Sequence, residues 1–305
     1  MRRPRRPHSA PAAGTDPAAH DAGAGPAVRR DAGPAGADAA VRRRVAERGP
    51  LVLVLPAAVG LCFLVLPLVG LLARTPWGRL PSQLAEPAVA EALRLSLVCA
   101  TAATALCLLT GVPLAWLLAR TDFRGRRLVR AAVTVPLVLP PVVGGVALLL
   151  VFGRRGLVGQ YLDAWFGLSL PFTTTGVVLA EAFVAMPFLV IAVEGALRGA
   201  DRRYEDAAAT LGASRWLTFR RVTLPMIGPG VAAGTVLCWA RALGEFGATI
   251  TFAGNFPGET RTMPLAVYLA LETDPQAATV LSVLLLAVSV LVLVSLRERW
   301  IGGGT

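Results

Sequence analysis

EDAAATLGASRWLTFRRVTLP, residues 205 to 225, is a charged, helix-forming island between long apolar runs. Asp201 to Leu211 is Ala-rich with acids in its first turns, which suits the positive end of a helix dipole. Gly212 stands where a glycine in a left-handed conformation would close that helix. Ser214 is placed to cap a second short helix carrying Trp216, Leu217 and Phe219, and Leu224-Pro225 ends it. The expected product is an elbow with small residues at its tip and aromatics on one side. Such an elbow fits a groove on a partner, or it lies as an amphipathic connector on lipid headgroups. The local physics leaves both open.

The flanking composition sets the context. Of 305 residues 55% are hydrophobic, above the share of an ordinary soluble domain, so a membrane is the expected environment. The formal charge of +11 sits in blocks between apolar runs rather than on one face of a soluble fold, which argues for topology and against nucleic acid. All 30 basic residues are Arg. Without Lys there is no standard Walker A loop and no Schiff-base chemistry. Both histidines, His8 and His20, precede the first apolar run, so no His-based general base or zinc-protease helix lies in the main body. Cys62, Cys99, Cys107 and Cys238 fall inside apolar runs without CxxC spacing and read as inert thiols. No catalytic residue, metal ligand or cofactor is expected.

Residues 1–49 are rich in Ala, Gly, Pro, Arg and Asp with almost no large apolar side chains, so they are expected to be a disordered tail. They read as too long and too polar for a secretory signal. Six apolar stretches follow within a body of 50–305, at about 51–73, 95–119, 131–153, 174–196, 227–254 and 276–296. A helix needs about 20 residues to cross hydrocarbon, so an all-α membrane protein of six transmembrane helices is expected, with kinks at Pro67, Pro113, Pro140, Pro141 and Pro187.

Arginine sidedness orients it. Ten arginines precede Leu51, five lie between Arg120 and Arg130, six between Arg198 and Arg221, and Arg297 and Arg299 follow the last span. These 23 fall on one side; Arg74, Arg79, Arg154, Arg155 and Arg261, five in all, fall on the other. Positive charge stays inside, so both termini and the 201–225 island are expected in the cytoplasm.

The spacing Asp206-Ala207-Ala208, three residues, Gly212, nine residues, Val222-Thr223-Leu224-Pro225 resembles the E-A-A-x3-G-x9-I-x-L-P loop of ABC importer permeases. Asp206 replaces the usual Glu, with Glu205 beside it, and Val222 replaces Ile. The resemblance implies the type I importer permease fold and a coupling loop that docks on a separate ATPase subunit through Glu205, Asp206, Ala207, Ala208, Gly212, Leu224 and Pro225. It leaves open whether Glu205 or Asp206 makes the acidic contact. Residues 242–255, ALGEFGATITFAGN, followed by FPGETRTMP to Pro264, resemble the fifth helix and following loop of molybdate permeases. Leu139-Pro-Pro-Val-Val143 with Gly153-Arg-Arg-Gly156 resembles the same group. The likeness covers roughly residues 50 to 297, with an ABC-type core from about 91. It implies molybdate as solute, an external molybdate-binding protein as partner, and a homodimer that lines the path.

An oxyanion path should offer hydroxyls, amides and small residues. Gly244, Gly247, Ala248, Thr249 and Thr251 provide them, and Thr173, Thr174 and Thr175 add hydroxyls near the fourth span. Glu245 would repel a dianion, but it stands four residues from Arg241, so the two are expected to pair as a structural or gate-forming unit. Sulfate and tungstate remain alternative solutes. An ATP-independent channel or secondary transporter is the alternative class, against which stands the lack of a visible inverted repeat. An intramembrane hydrolase lacks the His or Lys of the usual dyads.

Overall fold

Helices make up all the regular structure in residues 51–301, the part of the chain that the computed structural model describes. The tail 1–49, expected to be disordered, lies outside them. Two units are distinguished, residues 1–65 and 66–305, and the first described helix is α1 (Leu51–Arg74).

In the second unit, short α2 (Leu80–Leu84) leads into α3 (Pro87–Arg120). Then come α4 (Arg126–Val138), α5 (Pro141–Phe152), α6 (Gly159–Phe166) and α7 (Thr174–Gly199). The elbow supplies α8 (Arg203–Thr210), α9 (Arg215–Thr218) and the single turn α10 (Leu224–Met226). The chain closes with α11 (Gly228–Leu243), α12 (Gly247–Phe252), α13 (Met263–Thr273) and α14 (Pro275–Ile301).

The main core forms where α3, α7 and α11 meet, with Cys107, Ala115, Leu118, Leu189, Val193, Leu197, Cys238 and Leu243 buried together. Lipid supplies no hydrophobic drive between helices, so close backbone approach has to hold them. Small residues allow it here: a Cβ at Gly234 would stand 2.9 Å from the Ala192 Cβ, and one at Gly111 would stand 3.3 Å from Leu189 and Val190. The three buried cysteines are free: Cys107 and Cys238 belong to this packing, and Cys99 to a smaller cluster with Leu95, Val177 and Ala253.

Two expected spans need correction. The stretch 131–153 is not one helix, because α4 stops at Val138 and α5 starts at Pro141. Leu139 and Pro140 between them are extended, with ψ 132° and 134°. Each residue precedes a proline, whose ring excludes the helical conformation there, and neither proline has an N–H to carry the ladder across. The stretch 227–254 is likewise broken, ending as α11 at Leu243 and resuming as α12 at Gly247. At its other end α11 bends by 72° from the elbow segment Arg215–Met226. By contrast Pro67, Pro113 and Pro187 lie inside unbroken helices.

Among the described residues four helices, α1, α3, α7 and α14, are long and apolar enough to cross a membrane, or up to five if the bent pair counts as one. With 12 and 11 residues, α5 and α13 fall short of the roughly 20 that hydrocarbon requires. The expected spans include neither α13, which is apolar but short, nor α6.

Candidate functional site: the elbow and the broken helix

The elbow forms as its residue types dictate. Glu205 and Asp206 sit in the first turn of α8, where the helix dipole favours acids. Its C-terminus closes in a Schellman motif: Gly212 N–H donates to Ala209 O at 3.0 Å and Ala213 N–H to Ala208 O at 3.0 Å. Gly212 has φ +81°, the left-handed conformation that glycine adopts without a Cβ penalty. Ser214 then caps α9, its Oγ accepting from Leu217 N–H at 3.3 Å. A π turn, Phe219–Thr223, follows; such turns are rare and cluster at functional sites.

Glu205 and Asp206 face differently. Glu205 Oε1 accepts from Arg120 Nη2 at 3.0 Å and from Thr223 Oγ1 at 2.9 Å. One carboxylate thus ties α8 to the end of α3 and to the π turn. Asp206 is exposed, as is Ala207, while Ala208 is half-buried. At the tip Leu211 is 88% exposed, and Trp216 on the next turn is 69% exposed. Leu224 is half-buried and Pro225 exposed. A cavity of about 490 Å³ opens between elbow and α3, lined by Trp116, Arg120, Arg202, Glu205, Arg215 and Phe219 among others. Sequence reasoning missed Arg120 and Trp116, which belong to a helix 85 and more positions away and carry no local signal.

The second station is the break between α11 and α12. Arg241, in the last turn of α11, meets Glu245 at 2.6 Å (Nη1 to Oε2). The other oxygen of Glu245 accepts from Ala248 N–H at 2.8 Å, capping α12. Glu245 is 1% exposed, so pairing and capping together satisfy a carboxylate that would be prohibitive alone. Gly244 ends α11 and is exposed, whereas Gly247 is buried.

Helix α12 lies directly on α5. A Cβ at Gly247 would stand 2.7 Å from the Pro141 Cβ, and one at Gly145 would stand 2.6 Å from the Thr251 Cβ. Thr251 Oγ1 donates to Gly247 O at 2.8 Å, and Thr249 is fully buried with its hydroxyl unpartnered. Glu181 on α7 is also buried, with one oxygen unpartnered. Of the other hydroxyls, Thr173 caps α7 and Thr174 donates to Glu259 O at 2.8 Å. The structure therefore brings residues 241–251 together with Pro141 and Gly145, which the expected site did not include. Glu194, at the far end of α7, is held by Arg130 at 2.7 Å and Arg198 at 2.6 Å.

The two stations are chemically distinct. One is an elbow with an exposed apolar tip and an exposed acid; the other is a neutralised, closely packed break inside the bundle. Neither assembles a nucleophile with a base. No group of three or more His, Cys, Asp or Glu that could hold a metal ion occurs among the described residues.

Residues 111–302 match the model of the family described as binding-protein-dependent transport system inner membrane component. The molybdenum transport system permease protein ModB of Mycobacterium tuberculosis is 51% identical over 245 residues, 80% of this chain and 92% of the relative. The sulfate transport system permease protein CysT of Escherichia coli is 37% identical over 238 residues, 77% of this chain and 86% of the relative. Among solved structures, a bacterial ABC transporter involved in the import of the acidic polysaccharide alginate superimposes with TM-score 0.67. It covers 84% of this chain and 96% of its own at 18% identity, which is a likeness of fold.

Proposed function

We propose, as the chain belongs to the family of binding-protein-dependent transport system inner membrane components, that it is the membrane subunit of an ATP-driven molybdate importer. It is a multi-pass protein of the plasma membrane. The single observation that carries the solute assignment is the 51% identity to a molybdenum transport permease across 92% of that protein. Sulfate is the second reading, favoured by the 37% identity to a sulfate permease, and tungstate has the same tetrahedral dianion chemistry.

In this reading the chain crosses the membrane six times. The crossings are α1, α3, the α4–α5 pair, α7, the α11–α12 pair and α14. The arginine asymmetry puts both termini and the elbow in the cytoplasm. A separate ATPase subunit grips the elbow. Leu211 and Trp216 supply apolar contact, and Asp206, with Ala207, Ala208, Gly212, Leu224 and Pro225, completes the surface. The acidic contact falls to Asp206 because Glu205 is engaged within the chain. Two copies line the path, and an external binding protein delivers the anion.

The path runs past Arg241, Gly244, Glu245, Gly247, Thr249 and Thr251. Gly247 is buried against α5 and Thr249 is buried as well in this conformation, so the anion reaches their amide and hydroxyl only when the packing around α12 opens. ATP binding draws the two elbows together and favours the state that accepts the anion from outside. That is a two-state equilibrium biased by the partner's differential contacts. The test is co-expression with an ATPase subunit and a binding protein in liposomes. ATP-dependent accumulation of labelled molybdate supports the reading, and ATP-independent flux of the same size points to a channel or secondary transporter.

A further inference from the structure

The elbow has two attachments to the bundle, and they differ in stiffness. Along the chain it continues into α11, but through a bend of 72° at Ile227. Across space it is fastened to the last turns of α3 by several independent contacts. Arg120, the last residue of α3, gives Nη2 to Glu205 at 3.0 Å, and its side chain is only 7% exposed. The same carboxylate oxygen takes the Thr223 hydroxyl at 2.9 Å, so α8 and the π turn share one anchor. Trp116, one turn earlier on α3, meets Phe219 of the π turn edge-on at 6.5 Å between ring centres. Phe219 in turn stacks on Trp216 at 5.9 Å. Arg202, just before α8, reaches the Ala119 carbonyl at 3.4 Å.

We infer that Arg120 is the positioning residue through which movement of the elbow reaches α3. A buried, charge-assisted bond is short and directional, and an aromatic edge contact beside it resists rotation. Together they make the elbow and the end of α3 one body, whereas a bent three-residue turn, Leu224–Met226, transmits less. Because α3 packs along α7 and α11 through Cys107, Leu118 and Leu189, its displacement moves the bundle around the broken helix. The inference rests on the reading of the elbow as the ATPase contact; it adds which helix receives the stroke and by which side chain.

The experiment uses the full complex, permease with ATPase subunit and binding protein, in proteoliposomes. Uptake of labelled molybdate and ATP hydrolysis are measured on the same preparation. Arg120→Gln is expected to retain ATPase binding and hydrolysis near the parent rate while uptake falls about ten-fold, the scale of one coupling free energy between sites. Molybdate imported per ATP therefore falls. The exchange Arg120→Glu with Glu205→Arg is expected to recover much of that ratio, which a purely local packing role would not restore. Arg120→Lys, which keeps charge but loses the fork, is expected to lie between parent and Arg120→Gln. It also serves as the deciding variant if Arg120→Gln does not accumulate in the membrane.

An Arg120→Gln or Arg120→Lys complex as tightly coupled as the parent overturns the inference. So does a charge exchange that folds and binds ATPase yet stays as uncoupled as Arg120→Gln. Failure of the parent complex to take up molybdate with ATP would instead overturn the functional reading beneath it.

Discussion

Glu245 and Arg241 meet at 2.6 Å on the α11 side of a helix break, and the same carboxylate caps the helix on the α12 side. A fully buried acid is thus held by a cation before it and a backbone amide after it. The break between Leu243 and Gly247 follows as a stable feature, because the side chain supplies what the interrupted ladder lacks.

Removing one partner should therefore be worse than removing both. Arg241→Ala leaves an unpaired buried carboxylate and is expected to cost about 3–5 kcal/mol. Arg241→Met combined with Glu245→Met is expected to recover most of the loss, apart from about 1 kcal/mol for the lost cap. Thermal unfolding of the purified protein in detergent reads both. Equal loss in the single and the double variant would contradict the pairing.

Gly212 makes a backbone prediction. A Cβ there meets nothing within 4 Å, so only φ +81° opposes substitution. Gly212→Asn is expected to be tolerated, whereas Gly212→Val is expected to cost about 1–2 kcal/mol locally and to distort the tip. ATPase co-purification should follow the same order. Gly212→Asp, the size of Asn but charged, sets a carboxylate in the proposed docking surface and is expected to uncouple hydrolysis from uptake without unfolding the spans.

At Gly247 the opposite mechanism applies. Its added Cβ would crowd the Pro141 Cβ at 2.7 Å and the Val142 N at 3.3 Å, and φ is not positive there. Gly247→Ala is expected to destabilise by about 1–3 kcal/mol through overpacking of α12 on α5, with uptake falling in step. Gly244→Ala, with its nearest neighbour at 3.6 Å, is expected to be much milder. Comparing the two in membrane yield and uptake separates packing from conformation.

Much of this was legible in the chain. The elbow's capping hydrogen bonds join residues a few positions apart, as does the Arg241–Glu245 pair, so Gly212, Ser214 and that pair were readable locally. The unbroken helices α1, α3, α7 and α14 follow from length and hydropathy, though α3 begins at Pro87, ahead of the charged Glu91 and Arg94 that had delayed its expected start to 95. The break at Leu139 and Pro140 falls at the proline pair where a kink was expected, whereas the break between Leu243 and Gly247 was not legible, because hydropathy averages over an interrupted hydrogen-bond ladder as readily as over an intact one. Glu205 shows a second limit. As a residue type it suits a partner contact, and only the distant Arg120 reveals that it faces inward.

The central claim, that this is a molybdate permease driven by a separate ATPase, is tested most directly by one competition measurement. Labelled molybdate uptake is followed in proteoliposomes holding the full complex with ATP, against rising unlabelled sulfate. The account predicts ATP-dependent uptake that survives a large excess of sulfate and is abolished by a small excess of unlabelled molybdate. Sulfate competing at equal concentration would contradict the solute, and uptake indifferent to ATP would contradict the mechanism.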